Sequence, residues 1–273
     1  MLQTRSWLPR TEGSVRLAFA MREGETRLDV LHQAGAARAR FPSPSAGAAP
    51  EAVLLNTAGG LTGGDRMRIG VTLQDRAEAT VTTAAAEKIY RSLEGEVVVR
   101  ADLALGAGAR LAWLPQPTIL FDQSRLDRRT EVTMAGDATF LAVEILVFGR
   151  SAMGEDVRRG ACRDVWRIRR GGVLTFADTF HVDGAVAAIL DRPATLAGAR
   201  AAAMLICVAP DAASRLGAAR SAVENAPSAI GLSAWNGLLV ARAVAGDARA
   251  LQADMAALVQ TLSGRPLPRV WAC

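Results

Sequence analysis

The chain has 273 residues, half of them hydrophobic and 5% aromatic, with a formal net charge of +5. That length fits one large domain or two small ones, and the apolar share is ample for a core. The 32 basic side chains are scattered among 27 acids rather than gathered in a stripe, which argues against a nucleic-acid binder.

Short stretches of alternating apolar and polar residues come first. "SVRLAFA" and "TRLDVLH" read as strands, and "FPSPSAGAAPE" (residues 41–51) reads as a mobile loop. Met67, Ile69, Val71 and Leu73 alternate with Arg66, Arg68, Gly70 and Thr72, a period of two. "EATVTTA", "EVVVRADLAL", "ARLAWLP", "RTEVTM", "TFLAVEILVF" and "GVLTFAD" continue the pattern, with turn residues between them. Such a run predicts a mainly β architecture, whether sandwich, barrel or β-solenoid. The C-terminal stretch differs. "AAAMLICVAP" reads as a buried strand, and "DAASRLGAARSAVEN" predicts a helix N-capped by Asp211. Asn236-Gly237 between two apolar runs predicts a hairpin. Asp247 is expected to cap a second helix with Leu251, Met255, Leu258 and Leu262 on one stripe, ended by Gly264 and Pro266. One unit over residues 1–273 is expected, with 1–198 mostly strands and 199–273 a strand–helix–hairpin–helix portion.

Several motifs hold candidate chemistry. "NTAGGLTGGDR" (Asn56–Arg66) has four glycines in six residues, which permits unusual backbone angles. It is no P-loop, because Gly64 leads into Asp65, Arg66 and a strand. It reads as a strand-to-strand crossing, or as a channel-lining loop whose Asp65 binds a cation. "AEKIYRS" holds the only lysine, Lys88, and the only tyrosine, Tyr90. If extended, Lys88 and Tyr90 share one face while Glu87, Ile89 and Arg91 share the other. No partner that would activate Lys88 can be named, so a packed corner competes with catalysis. Glu144 lies inside an apolar run, and a buried carboxylate needs a partner; Arg150 is the candidate. "ADTFHVDG" gathers Asp178, His181 and Asp183, of which the His-x-Asp pair is a weak metal signal. "RDVWRIRRGG" concentrates Arg163, Arg167, Arg169 and Arg170, with Trp166 and Ile168 on the opposite strand face. It reads as a solvated face, or as a rim for an acidic protein partner. Cys162, Cys207 and Cys273 form no CxxC pair, which supports neither a zinc knuckle nor a disulfide framework and fits a reducing compartment. The N-terminus has no apolar run of signal-peptide length, and Phe140–Phe148 is too short to span a bilayer. A cytoplasmic location away from membranes is expected.

Taken together, "LLNTAGGLTGGDR", "EKIYRS", "WLPQPTILFDQSRL", "FGRSAMGE" and a terminal "PRVW" resemble, in order, the UreD (UreH) family of urease accessory proteins. The resemblance runs from about residue 50 to the C-terminus. Pro117 departs from a common acidic residue and Gln123 from a common glycine. The resemblance implies a mainly β fold, a layered, β-helix-like stack of short strands with a small two-helix α/β C-terminal portion. It implies a non-enzymatic metallochaperone scaffold that assists GTP-dependent nickel insertion into apo-urease. The expected partners are UreF, the GTPase UreG and the urease apoprotein, with a dimer inside the accessory complex. No tightly bound cofactor is implied, only nickel in transit through a polar interior. Asp65, Glu144 and Asp178, with Glu87 behind them, are the positions expected along that route. The C-terminal helices and "RPLPRVWAC" are the expected contact for UreF. The competing reading is a small-molecule enzyme using Lys88 and Tyr90.

Overall fold

The fold is a stack of in-register parallel coils, described from a computed structural model over residues 10–43, 49–150 and 154–272. Cys273, the middle of the Pro/Ser/Ala loop (44–48) and residues 151–153 of "FGRSAMGE" lie outside the described residues. Strands β1 (Glu12–Arg22), β2 (Glu25–Gly35) and β3 (Ala37–Arg40) lead in. A solenoid of about four turns follows. The first turn contains β4 (Glu51–Asn56) and β5 (Arg66–Leu73); the second contains β6 (Glu78–Thr83), β7 (Glu87–Ile89) and β8 (Val97–Leu105). The third contains β9 (Arg110–Leu114), β10 (Thr118–Leu120) and β11 (Arg125–Met134); the last contains β12 (Thr139–Phe148) and β13 (Gly160–Arg170). After them come β14 (Val173–Gly184), helix α1 (Val186–Leu190), β15 (Ala201–Val208) and helix α2 (Leu216–Ala222). The hairpin β16 (Ala229–Trp235) and β17 (Leu238–Ala245) precedes helix α3 (Ala248–Ser263).

The strands divide between two sheets. The first sheet runs β14-β13-β11-β8-β5-β1-β2, and its five inner strands, β1, β5, β8, β11 and β13, are parallel. The second runs β16-β17-β15-β12-β9-β6-β4-β3, with β4, β6, β9 and β12 parallel. β7, β10 and the end of β12 form a short third row between them. The period-two pattern now has a physical reading. Leu17, Val71, Leu103, Val132 and Ile168 are register partners on five neighbouring strands. All five are buried, so each coil sets its apolar row on that of the coil before it. The expected β-helix-like layering is therefore present.

β12 explains the longest apolar run. Its Phe140, Ala142, Leu146 and Phe148 enter the core between the sheets, while Leu141, Val143, Ile145 and Val147 enter a second core on the other face. A strand covered on both faces loses alternation and reads as continuous hydrophobicity. Helix α3 closes the second core with Leu251, Met255, Leu258 and Leu262. As expected, the Asp247 side chain accepts from Arg249 N, and Gly264 ends the helix at φ 63°. Asn236 and Gly237 have φ 47° and 76°, the left-handed pair that a two-residue hairpin turn requires. No helix among the described residues is long and apolar enough to cross a membrane.

Two expectations need correction. Asp211 caps no backbone N–H; its carboxylate instead takes Arg215 Nε at 3.0 Å and Nη2 at 2.9 Å. A charge-assisted pair four residues away outcompetes the cap. The segment then divides into a 3-10 turn (Ala212–Arg215) and the short α2. The sequence reading also omits α1, whose five residues are too few for a periodic signal.

The end of the chain returns to the solenoid. Trp271 Nε1 donates to Leu114 O at 3.1 Å, and Gln116 Nε2 donates to Val270 O at 3.0 Å. Residues 265–272 of "RPLPRVWAC" are thus built into the fold, against Leu114 and Gln116, more than 150 residues earlier. Trp271→Ala removes a buried ring and leaves Leu114 O without that donor, and is expected to destabilise by about 3–5 kcal/mol; urea unfolding of wild type and variant measures it.

Candidate functional site

Between the two sheets, one inward position on each of three strands is charged. Arg128 of β11 faces the core in the row that begins with Leu126 and continues to Thr130. Asp164 of β13 is its register partner, and Glu144 of β12 comes across from the second sheet. Arg128 Nε donates to Asp164 Oδ1 at 3.0 Å and Nη2 donates to Oδ2 at 2.8 Å, a two-pronged pair. Its Nη1 donates to Thr118 Oγ1 at 2.9 Å. All four residues are buried.

Glu144 is held differently. Arg128 Nη2 is also 2.8 Å from its Oε1, an ion pair that shares one guanidinium nitrogen with Asp164. The guanidinium is already committed to Asp164. One cation therefore faces two carboxylates in a low-dielectric interior, and only one of them can be balanced. Burial pushes the Glu144 carboxyl up to about 8, against the pull of Arg128 and with the help of the Asp164 charge. For Arg128, burial opposes the charge, but Asp164 and Glu144 outweigh it and hold the guanidinium ionised. The neutral arrangement is Arg128 cationic, Asp164 anionic and Glu144 protonated.

Two cavities meet at this cluster. One, of about 480 Å³, is lined by Leu61, Glu87, Trp113, Gln116, Arg128 and Glu144 among others. The other, of about 490 Å³, is lined by Glu144, Asp164, Trp166, Asp178, Met204 and Arg242 among others. Glu144 lines both. Glu87, in β7, faces inward beside buried Ile89. Its two oxygens accept from Asn56 Nδ2 at 3.1 and 3.2 Å. Burial raises its pKa, with the Asn56 hydrogen bond opposing. Asp178 sits on the inward phase of β14 and pairs with Arg242 at 3.0 Å. Trp166 Nε1, on the wall of the second cavity, is buried with no acceptor.

Asp65 stands apart from these three acids. Its Oδ1 accepts from Thr11 N at 2.7 Å and its Oδ2 from Thr62 N at 2.8 Å, and it lines neither cavity. It ties the glycine loop to the start of β1. The loop in turn admits Tyr90: a Cβ on Gly60 would lie 2.3 Å from the Tyr90 ring, at φ +153°, which only glycine accommodates here. Tyr90 donates to Gly59 O at 3.2 Å and meets Phe121 edge-on, with ring centroids 4.9 Å apart. Lys88 points outward and is exposed. "AEKIYRS" is a packed corner whose inner phase holds Glu87 and Ile89, as strand geometry requires.

The sequence reading of Glu144's partner is corrected. Arg150 lies past the Gly149 turn, pairs with Glu155 at 2.6 Å and covers the Phe121 ring. Arg128 and Asp164 were missed. Their signal was present: each breaks an apolar inward phase, Leu126-x-Arg128 and Cys162-x-Asp164-x-Trp166. His181 and Asp183 share the outer face of β14, where Asp183 is 3.7 Å from Arg125. Among the described residues, no three His, Cys, Asp or Glu side chains converge to hold a metal ion. Cys162 and Cys207 are free and buried.

Comparison with known proteins agrees over nearly the whole chain. The family model described as UreD urease accessory protein matches residues 11–272. A urease accessory protein UreD of Methylobacterium sp. (strain 4-46) is 49% identical over 276 residues, covering 98% of each chain. The one of Azorhizobium caulinodans is 48% identical over 265 residues, covering 96% of this chain and 97% of its own. The one of Rhodopseudomonas palustris (strain HaA2) is 44% identical over 262 residues, covering 96% and 93%. A β-solenoid with a charged interior, matched at this identity from end to end, belongs to the UreD family of urease accessory proteins, non-enzymatic urease maturation factors with a chaperone role in nickel metallocentre assembly.

Proposed function

We propose that the interior of this scaffold carries nickel in transit, with Glu144 as the hand-over point between the two cavities. The supporting observation is the buried Glu144 carboxylate, which shares its only cation with Asp164 and lines both. Glu87 in the first cavity and Asp178 in the second supply one carboxylate on either side. Single carboxylates are weak, labile ligands for a divalent ion, which suits release better than storage. A divalent cation at Glu144 displaces its proton, so that passage and proton release are coupled. Asp65 serves the route indirectly, by holding the glycine loop.

In this reading the protein works in the cytoplasm, without a resident cofactor, in a complex with UreF and UreG that docks on apo-urease. The accessory complex is dimeric, and GTP hydrolysis belongs to UreG. Lys88 and Tyr90 take no chemical part.

Glu144→Gln keeps the shape but has no proton to give up and cannot become an anionic ligand, and should lower the nickel content of urease several-fold. Its complex with UreF and UreG should still elute normally on a sizing column. Metal analysis of urease from cells expressing the whole gene set decides; full nickel loading by the variant sinks the route. Lys88→Met, by contrast, should load urease as wild type does in the same assay, and a loss would revive a chemical role for that corner.

The same residue sets a pH dependence. Its folded pKa, about 8, lies above the ordinary carboxylate value. The folded state therefore holds a proton that the unfolded state has released, and stability falls as pH rises from about 4.5 to 8, by up to about 1.4 kcal/mol per unit. Glu144→Gln has no such proton. Its thermal midpoint should match wild type below pH 4.5 and exceed it increasingly towards pH 8; parallel profiles would refute this.

A further inference from the structure

The two parallel sheets differ in what covers them. The outer face of the second lies under α3. Over the outer face of the first, among the described residues, no helix or strand packs. Parallel sheets are ordinarily covered on both faces, so a bare one invites a partner.

Its chemistry says which kind. On the outward phase, Arg68 of β5, Arg100 of β8 and Arg129 of β11 are register partners on three adjacent strands. Strand spacing stacks three guanidinium stems about 4.8 Å apart. Like charges so placed are destabilising. Arg16, Arg66 and Arg163 border the row on the same face. Only part of this charge is met from within. Asp127 takes Arg100 and Arg163, and Glu131 takes Arg129. Arg16 and Arg68 are exposed and have no ion-pair partner among the described residues.

The carboxylates that interrupt the row decide between two kinds of anion. Asp102 is exposed next to Gly70 and Glu131 in the neighbouring register. A phosphate backbone tracking the row would meet those acids. A protein surface can set its carboxylates over the arginines and leave neutral groups over Asp102 and Glu131. The geometry points to this face as a docking surface for a carboxylate-bearing protein, centred on Arg68, Arg100 and Arg129. The arginines of β13, Arg163 and Arg169, extend it towards β14.

The surface lies outside the nickel route, and the proposed partners serve only as probes. The test uses the full-length protein with Arg16, Arg68 and Arg129 each changed to Glu, and a second variant with each changed to Gln. All three side chains are exposed, so both variants should fold; the thermal midpoint checks this. Association with purified urease apoprotein, UreF and UreG is measured one at a time, at low and high salt. For one of the three, the Glu variant should bind about tenfold or more weakly, the Gln variant should fall between, and salt should weaken wild type alone. Unchanged association of the Glu variant with all three overturns the inference. So does wild-type retention of duplex DNA in preference to each protein. Glu144→Gln should associate normally in every arm, so loss of docking and loss of the route remain separable.

Discussion

In-register stacking of parallel coils governs this molecule. A side chain in one coil sits directly over its counterpart in the next, so every inward position joins a row and inherits the row's environment. Apolar rows such as Leu17 to Ile168 build the core from aliphatic side chains, with rings such as Phe19, Phe140, Phe148 and Trp166 set among them. The same rule makes an inward charge expensive and local. Arg128 is tolerable only because Asp164 occupies the matching place in the next coil. Removing one partner of such a pair typically costs about 3–5 kcal/mol.

That pairing leaves Glu144 as the odd member. A core designed for stability alone would place an apolar residue there. Instead the second sheet supplies a third charged group where only two can balance, and a proton makes up the difference. With that proton in place the cluster is neutral.

The β architecture, the hairpin and α3 were legible because each rests on local signals: a period of two, an Asn-Gly pair, a cap and a stripe. Glu144 was legible as a buried acid because it interrupts an apolar run. Its partner was not. Arg150 is near in sequence, whereas Arg128 is brought close only by coil length and by which sheet each strand joins, and neither is encoded in a short window. Asp211 failed for a related reason: capping residues also make good ion-pair partners, and Arg215 lay within reach. Glu87 was assigned its face correctly because strand alternation is local, while Asp65 was credited with a free carboxylate that the backbone of Thr11 and Thr62 takes up.

The return of Trp271 to Thr82 and Leu114 has a consequence for biosynthesis. The outer face of β12 and its neighbours stays bare while the ribosome is still making the residues that cover it. Its cover, α3 with Trp271, follows every strand of that sheet in the chain. Until α3 forms, the nascent chain therefore presents an uncovered apolar sheet, the kind of surface that associates with other chains. Whatever meets that sheet first, another chain or the chain's own α3, decides between association and folding.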